Sequence, residues 1–131
     1  MKPAALFVFV AAILVAPQLV HSSKDHADAA LATVGGSGVS GNVHLVQLPH
    51  GGASLHVSVR GLKPGETYTS FYYESADCSA PADEFQTFTA SARGTAELQG
   101  KIDDDVDEVG SVSVRLGTGY GTLMACADLK E

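Results

Sequence analysis

Two histidines in the same local pattern could bind a transition metal. His44 and His56 each lie between apolar residues, in stretches where apolar and polar side chains alternate. If the apolar residues face a core, the two imidazoles share the other face of a β-hairpin, opposite or diagonal to each other. Zinc and copper favour imidazole, but two ligands make a weak site without further donors. The alternative is a pair of ordinary exposed histidines.

An acidic run is the densest charge in the chain. Residues Asp103–Glu108 read DDDVDE, and hard cations such as Ca²⁺ take several carboxylate ligands. The spacing does not match an EF-hand loop, and the run has no glycine at its turn. The alternative is a solvated loop between strands, whose charge keeps a sheet edge from pairing with other molecules.

A third pattern depends on where the chain is processed. If Lys24 were the first residue, its free amine, two amides and the imidazole of His26 could chelate Cu(II) in a plane.

The beginning of the chain resembles a secretory signal that is cleaved before Ser23 rather than before Lys24. Lys2 precedes an uncharged apolar run over residues 4–16, which suits a secretory signal and falls short of the roughly 20 residues that span a membrane. We expect a signal peptide over residues 1–22, cleaved after Ser22, with an uncleaved anchor as the alternative.

Charge and cysteine content restrict the partners and the compartment. The formal net charge of −7 and the absence of a basic cluster argue against binding to nucleic acid or anionic lipid. After residues 1–22, no apolar stretch is long enough to span a membrane. Two cysteines in an exported chain, Cys78 and Cys126, predict a disulfide, with two buried free thiols as the alternative.

The elements that must position these residues are strands. Residues 23–38 are small, polar and glycine-rich, which predicts a flexible N-terminal arm, with a helical turn or two possible over residues 28–33. From residue 39 onward, period-two patterns separated by turn residues predict an immunoglobulin-like sandwich of seven to eight antiparallel strands. Beyond the hairpin over residues 43–60, the strands are expected at Thr67–Tyr73, Glu84–Ala90, Gly94–Gly100, Gly110–Leu116 and Thr122–Leu129.

Several of these motifs together resemble the copper/zinc superoxide dismutase family. They are Gly41-Asn42-Val43 at the start of a strand, the turn GLKPG at residues 61–65, Cys78 soon after it, and Leu123-Met124-Ala125-Cys126 in the last strand. The resemblance runs from about residue 39 to residue 129, within a domain that we expect over residues 39–131. It implies a Greek-key β-sandwich in which the disulfide ties the loop after the strand Thr67–Tyr73 to the last strand.

The metal ligands of that family have no counterpart in the same alignment. Phe71 and Tyr73 stand where the family has two copper histidines, and Arg115 stands where it has a later one. The family's arginine near the last cysteine is Leu123 here, and the short stretch after Cys78 leaves no room for a zinc loop. A guanidinium never loses its proton and would repel a metal. We therefore expect Phe71, Tyr73 and Arg115 to mark vacated ligand positions.

These observations predict an exported, secreted or periplasmic domain with a binding or structural role, without enzymatic activity and without a cofactor. Its partner would be an unknown protein or small molecule. The alternative is a divergent dismutase that uses histidines outside the usual positions, or an exported protein that sequesters copper or zinc through the N-terminal arm and the face with His44 and His56. At the vacated face, we expect the stem of Arg115 to pack on a tyrosine ring and its guanidinium to pair with a carboxylate such as Glu74.

Overall fold

The computed structural model describes residues 25–130, and its regular secondary structure consists almost entirely of strands. A single turn of 3₁₀ helix, Val106–Glu108, follows the sixth strand. None of the described helical structure is long and apolar enough to cross a membrane. The eight strands, in chain order, are β1 (His26–Thr33), β2 (Ser40–Gln47), β3 (Ala53–Arg60), β4 (Thr67–Tyr73), β5 (Ala82–Thr89), β6 (Ala96–Ile102), β7 (Ser111–Leu116) and β8 (Leu123–Asp128).

The strands form an antiparallel Greek-key sandwich that nearly closes into a barrel. Their spatial order is β5-β4-β7-β8-β1-β2-β3-β6. One half of the sandwich is β5-β4-β7-β8 and the other is β1-β2-β3-β6, so the connections from β3 to β4, from β5 to β6 and from β6 to β7 pass between the two halves. The edge strands β5 and β6 approach each other, and the Gln86 amide donates to the Gln99 carbonyl at 2.9 Å. The predicted fold class is confirmed.

The core follows the period-two pattern that the sequence shows. Val43 and Leu45 of β2 and Leu55 and Val57 of β3 are buried, whereas the residues between them face outward. Side chains from both halves of the sandwich fill the interior, including Val112 and Val114 of β7. Burial of this apolar surface is the main term that favours the folded state.

The first strand corrects the prediction of a flexible arm over residues 23–38. Residues 26–33 form β1, which pairs with β2 along most of its length and with β8 at its end; they are neither flexible nor helical. Ala27 and Leu31 point into the core. Alanine is a poor strand former, so the alternation is hard to see in the sequence, and the pairing with β2 and β8 decides the structure. The predicted signal peptide and Lys24 lie outside the described residues.

Elsewhere the predicted strands match closely. β4 has the predicted bounds, and the later strands begin and end within two residues of the expected positions. Cys78 and Cys126 form the predicted disulfide, with their Cα atoms 6.1 Å apart. The loop after β4 is therefore tied to β8, as the resemblance implied.

β4 contributes to two separate apolar clusters. Tyr68 and Tyr72 belong to the main core, whereas Phe71 and Tyr73 lie in a second cluster with Cys78. Successive side chains of a strand point to opposite faces, so the second cluster lies on the outer face of the sheet formed by β4, β7 and β8. The loop that carries Cys78 covers it. This outer face is where the predicted vacated positions meet.

Candidate functional site

Arg115 is the centre of the outer face. Its guanidinium donates four hydrogen bonds: Nε to the Tyr73 hydroxyl at 3.0 Å, Nη1 to the Gly121 carbonyl at 2.8 Å, and Nη2 to the Cys78 carbonyl and the Tyr120 hydroxyl, both at 3.0 Å. All four acceptors are neutral oxygens. Hydrogen bonds from a charged donor are stronger than neutral ones, so Arg115 joins β4, β7 and the two loops above them.

Tyr120 forms a lid over the guanidinium. The central carbon of the Arg115 guanidinium lies 3.7 Å from the centroid of the Tyr120 ring, which is cation–π geometry. The same ring meets Phe71 edge-on, with centroids 5.1 Å apart, and lies 6.4 Å from the Tyr73 ring. Tyr120 is nevertheless 47 % exposed. One exposed aromatic ring thus covers a cation and two buried aromatic rings.

Tyr73 is a buried phenol that bonds on both sides. It is 1 % exposed, and its hydroxyl contacts Ser113 Oγ at 2.6 Å as well as Arg115. Burial raises the pKa of Tyr73 above its ordinary value of 10.0, against the lowering effect of its bonds from Arg115 and Ser113. The phenol is therefore neutral at neutral pH.

The expected ion pair between Arg115 and Glu74 is wrong. Arg115 lies opposite Thr69 in the β4–β7 register, whereas Glu74 lies just past the end of β4. The guanidinium's Nε–H goes to the Tyr73 hydroxyl, and among the described residues no carboxylate forms an ion pair with Arg115. We expected the stem of Arg115 to pack on a tyrosine ring; the contact found is that of the guanidinium with the Tyr120 ring.

Cys78 is held in an unusual backbone conformation beneath this cluster. Its φ of +59° is in the left-handed region, where residues with a Cβ are uncommon. Its N–H donates to Ser111 Oγ at 2.9 Å, and its carbonyl accepts from Arg115. The disulfide to Cys126 fixes the side chain. Arg115 therefore helps to hold the loop that closes the outer face.

The side chains of the outer face do not fit copper or zinc. Phe71 offers no donor atom, the Tyr73 hydroxyl already bonds to two neighbours, and the Arg115 guanidinium is a permanent cation. Copper sites are built from imidazole, thiolate and thioether ligands. Within residues 25–130, no three His, Cys, Asp or Glu side chains are placed to share a metal ion.

The predicted histidine pair lies on the other half of the sandwich. His44 and His56 are direct cross-strand partners, as expected, but they turn to different neighbours. His44 Nδ1 bonds Asp28 of β1, and His56 Nε2 bonds Glu97 of β6 at 2.8 Å. Both carboxylates are largely exposed. The structure therefore places two separate histidine–carboxylate pairs on this face.

The acidic run Asp103–Glu108 is partly used in local structure. Asp105 Oδ1 accepts from the Gly52 N–H at 2.8 Å and from the Gln47 amide at 3.0 Å, and the Gln47 bond is the larger cause of its lowered pKa. Glu108 accepts from the Asp105 N–H at 2.7 Å, completing a capping box around the 3₁₀ turn. Two carboxylates of the predicted calcium loop are thus engaged in hydrogen bonds within the protein.

Sequence reasoning missed the loop between β7 and β8. Tyr120 and Gly121 contribute the aromatic lid and one carbonyl acceptor of Arg115. A Cβ on Gly121 would lie 2.1 Å from the Leu116 carbonyl oxygen, so only glycine allows this close approach. The alternating glycines of residues 117–121 (GTGYG) are a signal for a tight loop, but not for the residue beneath it.

Comparison with known proteins supports the fold. The chain is similar to the solved structure of superoxide dismutase 5 of Candida albicans in its Cu(II) form, with a TM-score of 0.53 and 13 % sequence identity. The similarity covers 79 % of this chain and 90 % of that one. No family model matches the sequence, and no curated protein matches it. At this identity the similarity establishes a superoxide dismutase-like fold.

Proposed function

We propose that this chain is an exported, non-enzymatic binding or structural domain, in which an arginine–aromatic cluster occupies the positions that hold copper in superoxide dismutases. One observation carries the proposal. Arg115 aligns with a copper histidine of that family. Its guanidinium donates hydrogen bonds to four neutral oxygens and stacks on one aromatic ring. The cluster holds the two loops against the outer face, as a bound metal ion would in a superoxide dismutase.

The other aligned residues support the same function. Dismutation at copper requires ligands that hold both oxidation states of the metal, together with open access for the substrate. Phe71 is buried against Tyr120 and cannot coordinate a metal. Tyr73 is buried as a neutral phenol. A protein can keep a fold after the catalytic residues of that fold are lost, because function depends on the residues of the site.

Export is supported by the disulfide and by the beginning of the sequence. Disulfides persist in oxidising compartments such as the extracellular space and the periplasm. The bond between Cys78 and Cys126 closes a segment of 48 residues, which corresponds to about 4 kcal/mol in the chain-entropy model. The apolar run over residues 4–16 has the character of a secretory signal.

A dismutase assay tests the proposal. The mature protein, loaded with copper and freed of excess metal, should show no more activity than buffer containing the same total copper. Its thermal unfolding should be recorded in parallel to show that the loaded protein is folded. Activity well above the control, lost in His44→Ala or His56→Ala, would instead establish a divergent enzyme that uses these histidines.

A further inference from the structure

A pocket of about 410 Å³ opens at the end of the sandwich where β1, β3, β5 and β7 end and the other strands begin. Its apolar walls come from four elements: Val39 before β2, Leu62 after β3, Leu116 at the end of β7 and Met124 in β8. Val39 and Leu62 are buried, and the other two are half-buried. Pockets of this size at the mouth of a β-barrel can hold one small molecule.

Hydrogen bonds hold the walls of this pocket in place. Ser37 Oγ donates to the Met124 carbonyl at 2.6 Å, and the Val34 N–H donates to the same oxygen at 2.9 Å, so the loop after β1 is fixed to β8. The Leu62 N–H donates to the Gly94 carbonyl at 2.9 Å, which ties the turn after β3 to the loop before β6. The pocket is therefore formed without a ligand, which lowers the entropy cost of binding one.

A buried phenol that lines the pocket has an unused donor. Tyr68 is 3 % exposed, and its ring stacks on Phe88 with centroids 5.8 Å apart. Its hydroxyl oxygen accepts from the Lys63 N–H at 2.9 Å, so the hydroxyl lies against the turn that forms one wall. Among residues 25–130, no acceptor takes the hydrogen of this hydroxyl. A buried O–H without an acceptor costs free energy, and an acceptor on a ligand would remove that cost.

The charge at this end of the sandwich favours an anion. The charged residues in its loops, at positions 33–40, 60–67, 89–96 and 116–124, are Arg60, Lys63, Arg93 and Glu66. Three cations against one carboxylate make this end positive, although the whole chain has a formal net charge of −7. Lys63 and Glu66 both line the pocket, but they form no ion pair with each other. The Lys63 ammonium is therefore available to an anionic group at the pocket.

We propose that this pocket binds a small carboxylate with an apolar body, of the size of a medium-chain aliphatic acid. The carboxylate accepts from the Tyr68 O–H and pairs with the Lys63 ammonium, and the apolar body packs on Leu62, Leu116 and Met124. A methionine side chain adapts to bodies of different shape. The proposal rests on the binding role proposed above and gives it a ligand class. None of the residues that line the pocket belongs to the arginine–aromatic cluster.

The test is an NMR titration of the mature, disulfide-bonded protein with sodium octanoate at about pH 7, where the carboxyl group is ionised. We expect saturable shifts of the amide signals of Ser37, Val39, Leu62 and Lys63, with a Kd of about 1 mM or lower. Octanol, which lacks the charge, should bind about fivefold more weakly or worse. Acetate, which lacks the apolar body, should give no saturable shifts.

Two variants test the two donors. Lys63→Gln removes the ammonium at an exposed position and should weaken octanoate binding about threefold or more. Its matched control is Lys101→Gln, at an exposed position near the other end of β6, which should bind octanoate as the wild type does. Tyr68→Phe should weaken binding about tenfold, the loss of one hydrogen bond to a charged acceptor. Because Tyr68→Phe also leaves the Lys63 N–H without its acceptor, thermal unfolding must show that this variant is folded.

Four results would overturn the proposal. They are the absence of saturable shifts up to about 10 mM octanoate, roughly tenfold above the expected Kd; equal affinity for octanol; equal losses in Lys63→Gln and Lys101→Gln; and unchanged binding in folded Tyr68→Phe. None of them would bear on the absence of dismutase activity, which the assay of the copper-loaded protein tests separately.

Discussion

The guanidinium of Arg115 stacks on the ring of Tyr120 with its central carbon 3.7 Å from the ring centroid. A half-buried cation is costly unless its donors are satisfied, and here four of its hydrogen bonds go to neutral oxygens from three different segments. The pair therefore joins the loop after β4, the loop after β7 and the sheet between them. It is a specific structural arrangement that ties both loops to the outer face of the sheet.

Removal of the Arg115 side chain should destabilise the domain. Arg115→Ala removes four hydrogen bonds and the contact with Tyr120, and we expect a loss of about 2 kcal/mol, or a fall in Tm of roughly 10 °C. Arg115→Lys should recover little, because an ammonium cannot serve the divergent acceptors of a planar guanidinium. Thermal unfolding followed by circular dichroism measures both variants.

The control for this prediction is Arg93→Ala. Arg93 is exposed in the loop between β5 and β6, so its removal should change Tm little, as for an ordinary surface charge. If Arg115→Ala unfolds at the same temperature as the wild type, the cluster has no structural role. If Arg115→Lys is as stable as the wild type, charge alone matters and the planar geometry does not.

Two buried serines should respond to alanine in opposite directions. Ser70 and Ser113 are both fully buried, but Ser70 Oγ has no hydrogen-bond partner whereas Ser113 Oγ bonds Tyr73. An unpaired buried hydroxyl costs free energy, and a paired one contributes about 1 kcal/mol. Ser70→Ala should therefore be neutral or stabilising, and Ser113→Ala should lower the free energy of unfolding in urea. A large loss in Ser70→Ala would show that this hydroxyl has a partner after all.

Neighbouring aspartates should show opposite pH dependence. Hydrogen bonds from Gln47 and Gly52 lower the pKa of Asp105 below its ordinary value of 3.8. Its contribution to stability is therefore complete above that value and is lost as pH falls through the lower, folded-state pKa. Burial and nearby carboxylates raise the pKa of Asp104, so its charge destabilises the fold at neutral pH and this effect disappears in acid.

Urea unfolding of the asparagine variants across pH measures this difference. Asp104→Asn should be more stable than the wild type at pH 7 and lose that advantage below about pH 4. Asp105→Asn should be less stable at pH 7, and the gap should narrow in acid. The same sign for both variants at pH 7 would contradict the assignment of Asp105 as a hydrogen-bonded carboxylate and of Asp104 as an unpaired charge.

The sequence predicted the sandwich because its signals are local. Alternating apolar residues around Val43 and Val57 and the β-forming run Thr67–Tyr73 each specify a strand. β1 was missed because alanine has little strand preference and the pairing comes from β2 and β8. Arg115 was expected on the outer face, but its acceptors were not. They come from loop backbone and from Tyr120, which depend on how two loops fold over the sheet.

The most direct test of the account is the metal content of the protein. The mature chain, produced by secretion without a histidine tag and dialysed against buffer containing equal micromolar copper and zinc, should be analysed by mass spectrometry for bound metal. Because Phe71, Tyr73 and Arg115 offer no metal site, we predict that the protein side holds no more metal than the buffer side, and that Arg115→His alone does not change this. One equivalent of copper bound to the wild type, and lost in Tyr73→Phe, would contradict the account.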